Sequence, residues 1–346
     1  MSHFSWKDQN TDYESLMKRL ENLKLMQHVY ENSDKKTFAL CYDNNIPIYQ
    51  YNQEILSHSE VQQDVYQSFH DEFGCVVLRN VYDKKTMDEY NDWCLKWLEN
   101  NDLDMNGTHP KQKDKYLIND IVGRLPEENP ELFMKLMANP ILCQTLDVLL
   151  GFAKIGSATC HWIQPKGDRQ LSHVDYPIHI GSGKFWEGNV DKCKRLMTRK
   201  QINVIMKHYS CQVIIATDAM DVSNGSTEII PCSHLLPDLD INIHNKEYYD
   251  MMEPHFVNAK LSQGDILIFN RGICHRGGKN LSDNRRNSLI LQCVNLWGIG
   301  QEVIDYDKLY TNIKDSNEYK YMTETEKEEF LLRFKFPYPL NVKLNA

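Results

Sequence analysis

The chain of 346 residues has no apolar run approaching 18 residues, so no segment is a candidate for a single hydrophobic membrane span. Its first ten residues are polar and lack the apolar core of a secretion signal, and Leu344-Asn345-Ala346 is no peroxisomal address. Its ten cysteines include no Cys-x-x-Cys pair. Reduced, mostly buried thiols in a cytoplasmic protein are therefore expected. Basic charge is in deficit, with 39 Lys+Arg against 48 Asp+Glu and a formal net charge of −9. That balance argues against nucleic acid as the main partner, because gripping phosphates needs clustered cations. Internal repeats and low-complexity tracts are absent as well. What remains, 41% hydrophobic, 25% charged and 10% aromatic residues, is the composition of a globular protein.

Residues 1–60 are polar and tyrosine-rich, and Leu16, Met17, Leu20, Leu23 and Met26 share one helical face, so a helical N-terminal extension is expected there. A more regular region begins near Val61. Gly74-Cys75-Val76-Val77-Leu78 reads as a strand. Asp83 is placed to cap a helix with the apolar face Met87, Tyr90, Cys94, Trp97 and Leu98. A second helical stretch runs from Pro130 to Leu150, interrupted at Pro140 and closed by Gly151. Beyond it the apolar runs become short: Ile155–Ile163, Gln212–Thr217, Thr227–Ile230, Asp265–Phe269 and Ser288–Val294, separated by turn clusters such as Ser223-Asn224-Gly225 and Gln263-Gly264-Asp265. Short strands with such punctuation point to an antiparallel sandwich or barrel over residues 61–300. Residues 301–346 are charged and partly helical and are expected to pack back on that core.

Chemistry concentrates in two places. His173-Val174-Asp175 would set an imidazole and a carboxylate on one strand face, two ready ligands for a first-row metal. By itself the triplet says little: 13 His and 48 carboxylates in 346 residues yield about 2 His-x-carboxylate triplets by chance, and three occur. The second place is Gly264-Asp265 leading into an apolar strand, then His275, then Arg286 eleven residues later at the start of Ser288–Val294. A His ending one strand and an Arg opening the next are neighbours across a hairpin.

Taken in order, His173-Val174-Asp175, Asn224-Gly225-Ser226-Thr227, Pro231-Cys232-Ser233-His234, Gly264-Asp265, His275, Asn280 and Arg286 resemble the motifs of the phytanoyl-CoA dioxygenase family of Fe(II)- and 2-oxoglutarate-dependent oxygenases, over roughly Val61 to Gly300. The resemblance implies a mainly β fold with flanking helices, a cupin-like double-stranded β-helix or jelly roll. It implies His173, Asp175 and His275 as ligands of Fe(II), with 2-oxoglutarate and O2 taking the remaining positions. Arg286 would grip the distal carboxylate of 2-oxoglutarate, with Ser288 adding a hydrogen bond. Asp175 stands where related halogenases carry Gly or Ala, which favours hydroxylation or another oxidation over chlorination. Two positions depart from the pattern: Cys232 replaces the commoner Gly, and Gly277 stands where a hydroxyl residue is frequent.

Cys160 or Trp162, on the strand before the His-x-Asp triplet, is expected beside the cosubstrate, and His234 is expected to brace a loop. The insertion from Tyr176 to Ser210 places Tyr176 and Trp186 as candidates for a substrate pocket, and its basic run Lys192, Lys194, Arg195, Arg199, Lys200 and Lys207 could meet an anionic group. The substrate is expected to be a small molecule. Two other functions fit the residues less well: a jelly roll that binds metal without turnover, and a cupin-type metalloenzyme with no use for 2-oxoglutarate. Neither calls for Arg286 and Ser288.

Overall fold

The computed structural model describes residues 21, 41–43, 46–50, 58–100, 108–109, 112–175, 208–235, 250, 252–298, 300 and 304–336. In chain order the strands among them are β1 (Cys41–Asp43), β2 (Ile46–Gln50), β3 (Cys75–Arg79), β4 (Thr108–His109), β5 (Gln112–Ile118), β6 (Ala153–Ile163), β7 (Ser210–Ile215), β8 (Thr227–Ile229), β9 (Val257–Asn258), β10 (Ile266–Asn270), β11 (His275–Gly277) and β12 (Arg286–Asn295). Nine of them form one sheet in the order β1-β2-β3-β10-β7-β12-β6-β5-β4, and the other three form a second sheet, β11-β8-β9. Every pairing is antiparallel except β2 with β3. This is the expected mainly β, double-stranded β-helix class, built as a large mixed sheet against a small one rather than as a closed barrel.

Alternation along the strands separates two apolar clusters. Val213, Ile215, Leu289 and Leu291 join the cluster on the helix side of the large sheet, whereas Ile214, Ile290, Leu267 and Phe269 join Ile229, Ile230 and Cys274 of the small-sheet side. Both faces of β7, β10 and β12 are therefore covered. That is why these strands read in the sequence as unbroken apolar runs rather than as alternating ones.

The helices are α1 (Ser59–Gln67), α2 (Lys84–Asn100), α3 (Ile121–Glu128), α4 (Pro130–Met137), α5 (Pro140–Leu150), α6 (Tyr306–Ile313), α7 (Asn317–Tyr321) and α8 (Glu324–Leu332). Asp83 starts α2 as expected, accepting from the Thr86 amide at 2.7 Å. The break between α4 and α5 falls at Asn139-Pro140, where Asn139 accepts from the amides of Ile141 and Leu142 at 3.0 and 3.2 Å. Behind the last helix, Arg333 pairs with Asp147 at 2.7 Å, and its carbonyl accepts from Ile155 at 2.9 Å. Among the described residues no single helix is long and apolar enough to cross a membrane.

The expectation of a helical extension over residues 1–60 needs correction at residues 41–50, which form two strands. Ile46 and Ile48 enter one apolar cluster and Tyr49 the other, a period of two that a helix cannot satisfy. β2 completes the large sheet beside β3, pairing Ile48 with Val77. The expected helical face from Leu16 to Met26 lies outside the described residues.

Candidate metal centre and cosubstrate pocket

His173 sits in an isolated antiparallel bridge with His275, so the two rings lie side by side with centroids 4.3 Å apart. Only His173 is paired there. Asp175 follows in irregular chain, not on the regular strand that the spacing suggests. Each imidazole is oriented by a carbonyl two residues upstream: His173 Nδ1 to Leu171 O at 2.8 Å, and His275 Nδ1 to Ile273 O at 3.1 Å. A carbonyl can only accept, so Nδ1 carries the proton and each Nε2 keeps its lone pair for a metal. His173 Nε2 is 3.9 Å from Asp175 Oδ1, and His275 Nε2 is 3.8 Å from Asp175 Oδ2. The three ligand atoms lie within 4.8 Å of one another. Two neutral imidazole nitrogens and one carboxylate oxygen fit a divalent first-row ion such as iron, and three protein donors leave positions for other ligands.

Arg286 is buried at the start of β12. Its guanidinium donates to the Gly225 carbonyl at 2.6 Å and to Ser288 Oγ at 2.9 Å, and its Nε has no partner. Among the described residues it forms no ion pair with a carboxylate. Burial pulls it down to about 10, against the milder opposing pull of Asp218. A buried guanidinium held by neutral acceptors, with a donor to spare, fits the carboxylate of a dicarboxylic acid. Asn224-Gly225 earns its place in the motif here. Gly225 has φ +80°, and a Cβ would press on the Gly278 carbonyl at 2.9 Å, so the turn that offers its carbonyl to Arg286 admits glycine.

Triad and Arg286 line one cavity of about 260 Å³. Its floor is the inner face of the large sheet: Thr159, His161 and Ile163 of β6, Gln212 and Ile214 of β7, and Arg286, Ser288, Ile290 and Gln292 of β12. This alternation corrects the expectation for Trp162 and Cys160. They occupy the intervening positions of β6 and face the other way, Trp162 beneath the Arg285 guanidinium at 4.8 Å and Cys160 Sγ donating to Asn287 Oδ1 at 2.9 Å. His161 and Thr159, which the sequence reading passed over, face the cavity instead. Tyr176, Trp186 and the basic run from Lys192 to Lys207 lie outside the described residues.

A four-membered charge cluster holds the two histidine-bearing segments together. Arg276, directly after His275, is fully buried and pairs through both Nη atoms with Glu253 at 2.7 and 2.9 Å and through Nε with Glu228, its cross-strand partner. Arg169, four residues before His173, reaches the same two carboxylates at 3.2 and 2.9 Å. Burial alone would lower Arg276, but the hydrogen bonds it donates to Glu253 and Glu228 outweigh it and hold the guanidinium up. Arg276 also lies over the Phe256 ring at 3.8 Å. No motif flagged this cluster, because its members come from four separate segments.

Other motif residues prove to be braces. Ser233 Oγ accepts from the Cys274 amide at 2.8 Å, just before His275. Cys232 takes the glycine-like φ of +68°, which explains the commoner Gly at that position. His234 Nε2 meets the His70 carbonyl at 3.2 Å. Asn280 donates to the Gln164 and Asn284 carbonyls at 2.9 and 2.8 Å and so closes the hairpin loop. Arg271 was not anticipated. Its side chain is 1% exposed, and its Nε lies 3.8 Å from Asp175 Oδ2.

Comparison with known proteins identifies the family. The sequence matches the family Phytanoyl-CoA dioxygenase (PhyH) over residues 70–288. Dioxygenase lolE1 of Epichloe uncinata is 34% identical over 76 residues, 22% of this chain, and the match spans 29% of that relative's length. Among solved structures, the non-heme alpha ketoglutarate dependent epimerase SnoN from nogalamycin biosynthesis shares the fold at 15% identity with a TM-score of 0.53, covering 71% of this chain and 88% of that one. SnoN in complex with Fe3+, alpha ketoglutarate and nogalamycin RO aligns with the same TM-score over 71% and 89%. With more than half of its sequence matched, the chain belongs to the phytanoyl-CoA dioxygenase family, and it carries a His-Asp-His cluster suited to iron.

Proposed function

We propose that the protein hydroxylates, or otherwise oxidises, a C–H bond of a small molecule, converting 2-oxoglutarate to succinate and CO2. The observation that carries the reading is the shared cavity of the His173-Asp175-His275 cluster and the buried, carboxylate-free Arg286. In this reading the three cluster residues hold Fe(II), and the bound iron supplies the oxidising power drawn from O2 and the keto acid. Arg286 and Ser288 bind the distal carboxylate of 2-oxoglutarate and fix how deep it sits. Because Arg286 is charged at neutral pH and already desolvated, the incoming carboxylate meets a preorganised cation. The Nδ1 contacts to Leu171 and Ile273 keep the His173 and His275 rings turned. Ile214, Ile290 and Phe269 border the same space and exclude water from the reacting side.

Anaerobic addition of Fe(II) and 2-oxoglutarate should produce a weak visible charge-transfer band, and exposure to O2 should release succinate. Asp175→Ala should abolish both. A protein that binds metal yet never forms the band, or one in which Arg286→Ala leaves 2-oxoglutarate affinity unchanged, would refute the proposal.

A further inference from the structure

The cavity has a second polar end that the cosubstrate does not need. Gln212 on β7 and Gln292 on β12 are direct cross-strand partners, and both face the cavity. Arg286, Ser288, Ile290 and Gln292 are alternate residues of one strand, which at about 3.3 Å per residue puts Gln292 roughly 20 Å along the floor from Arg286. Gln292 is nevertheless beside the metal ligands. Its Oε1 accepts from Arg271 Nη1 at 3.3 Å, and Arg271 Nε is 3.8 Å from Asp175 Oδ2.

Arg271 is a donor only, so it settles which way the Gln292 amide is turned: Oε1 toward the guanidinium, Nε2 left to donate. Gln212 offers the reverse. It is 8% exposed, and its Oε1 is buried without a partner. A buried amide oxygen with nothing to accept from is costly in a folded core and is tolerated where a ligand completes it. Side by side across two strands, about 5 Å apart at Cβ, the pair presents one free donor and one free acceptor.

We propose that Gln212 and Gln292 form the subsite that orients the substrate, and that they recognise an amide-type group, such as a lactam or carboxamide, whose carbonyl takes the Gln292 N–H while its own N–H is given to Gln212 Oε1. This rests on the oxygenase reading above and adds the substrate class. An apolar acyl chain at this end would bury both amides unsatisfied, so the subsite selects against it. Arg271 is a positioning residue: it fixes the Gln292 amide while leaning on Asp175.

The test uses the anaerobic enzyme loaded with Fe(II) and 2-oxoglutarate, and two ring probes of equal size. 2-Pyrrolidinone carries the carbonyl and the N–H on one edge; γ-butyrolactone keeps the carbonyl and replaces the N–H with oxygen. The concentration giving half of the maximal change in the visible band is the readout. The lactam should act at a concentration about 10-fold lower or more than the lactone, the effect of one well-placed buried hydrogen bond. Gln212→Met, of similar shape but unable to accept, should erase that preference, and Gln212→Glu, which keeps an acceptor oxygen, should retain it. Equal potency of the two probes, no response to the lactam, or a preference surviving in Gln212→Met overturns the subsite alone. Absence of the band in the unaltered enzyme overturns the oxygenase reading itself.

Discussion

Arg276 and Glu253 form a two-pronged ion pair, with Nη1–Oε2 at 2.7 Å and Nη2–Oε1 at 2.9 Å, one residue from a candidate metal ligand. Arg169, just upstream of the other histidine, shares the Glu253 carboxylate. The pair thus ties the approach of His173 to that of His275, although more than a hundred positions separate them in sequence.

Breaking this tie should loosen the metal site. Arg276→Met leaves the buried Glu228 carboxylate short of its main partner and should raise the Co(II) dissociation constant about 10-fold or more, with a lowered Tm. Glu253 is held below the usual carboxylate range, first by its hydrogen bond from Arg276. Its folded value being depressed, the stabilisation is complete above its unfolded value of about 4.3 and drains away as pH falls through the folded one. Thermal melts of wild type and Glu253→Gln should therefore differ at neutral pH and converge in acid. A difference that persisted at low pH would contradict the pairing.

Arg286 carries a different linkage. Burial brings it to about 10, so its charge costs stability at neutral pH, and that cost is relieved as pH rises from about 10 toward the higher unfolded value. The affinity for 2-oxoglutarate should run the opposite way, constant through neutrality and falling above pH 10 as the guanidinium loses its proton. Arg286→Met should raise the KM for 2-oxoglutarate about 30-fold or more, since a charged hydrogen-bonding partner of the carboxylate is removed. Steady-state kinetics across that range check both statements.

Metal should stabilise the fold through His173, Asp175 and His275. At 100 times its Kd, Co(II) should add about 2.7 kcal/mol to unfolding free energy, and EDTA should remove it. His275→Ala should abolish the metal-dependent shift in Tm while leaving the metal-free protein folded, because His275 contributes its backbone to the bridge with His173 whatever its side chain.

Asp265 shows that a motif residue can matter without touching the cavity. Fully buried, it accepts from Arg79 Nη1 at 2.5 Å, the Asn80 amide at 2.9 Å and the Ser262 amide at 2.6 Å. Asp265→Ala strands those donors and should cost about 3–5 kcal/mol in urea unfolding. A loss under 1 kcal/mol would mean that the Gly264-Asp265 turn is held by other contacts.

How much the sequence could reveal followed from how local each signal was. Strands β3, β6, β7, β10 and β12 were legible as short apolar runs between turn clusters, and α2, α4 and α5 as periodic faces with Asp, Asn and Pro at their starts. The candidate site residues His173, Asp175, His275 and Arg286 were legible because their order and spacing resemble one family's motifs, although Asp175 lies in irregular chain rather than on a strand. β1 and β2 were missed because two strands of three and five residues, set in a polar stretch, offer too few alternations to outweigh a helical pattern nearby. Trp162 was misplaced because an aromatic on a strand could face either side, and only the register of β6 against β12 settles which.

By itself, then, the sequence determined the family resemblance: two imidazoles, a carboxylate and a guanidinium follow one another in the order and at the intervals of its motifs. The tertiary structure alone decided what surrounds those side chains. Arg271 beside Asp175, Gln212 opposite Gln292, and Arg169 with Arg276 on the same two glutamates are contacts between segments with no shared period and no common motif. They exist because antiparallel strands from distant parts of the chain come into register, and register is a property of the packed sheets rather than of any stretch of residues.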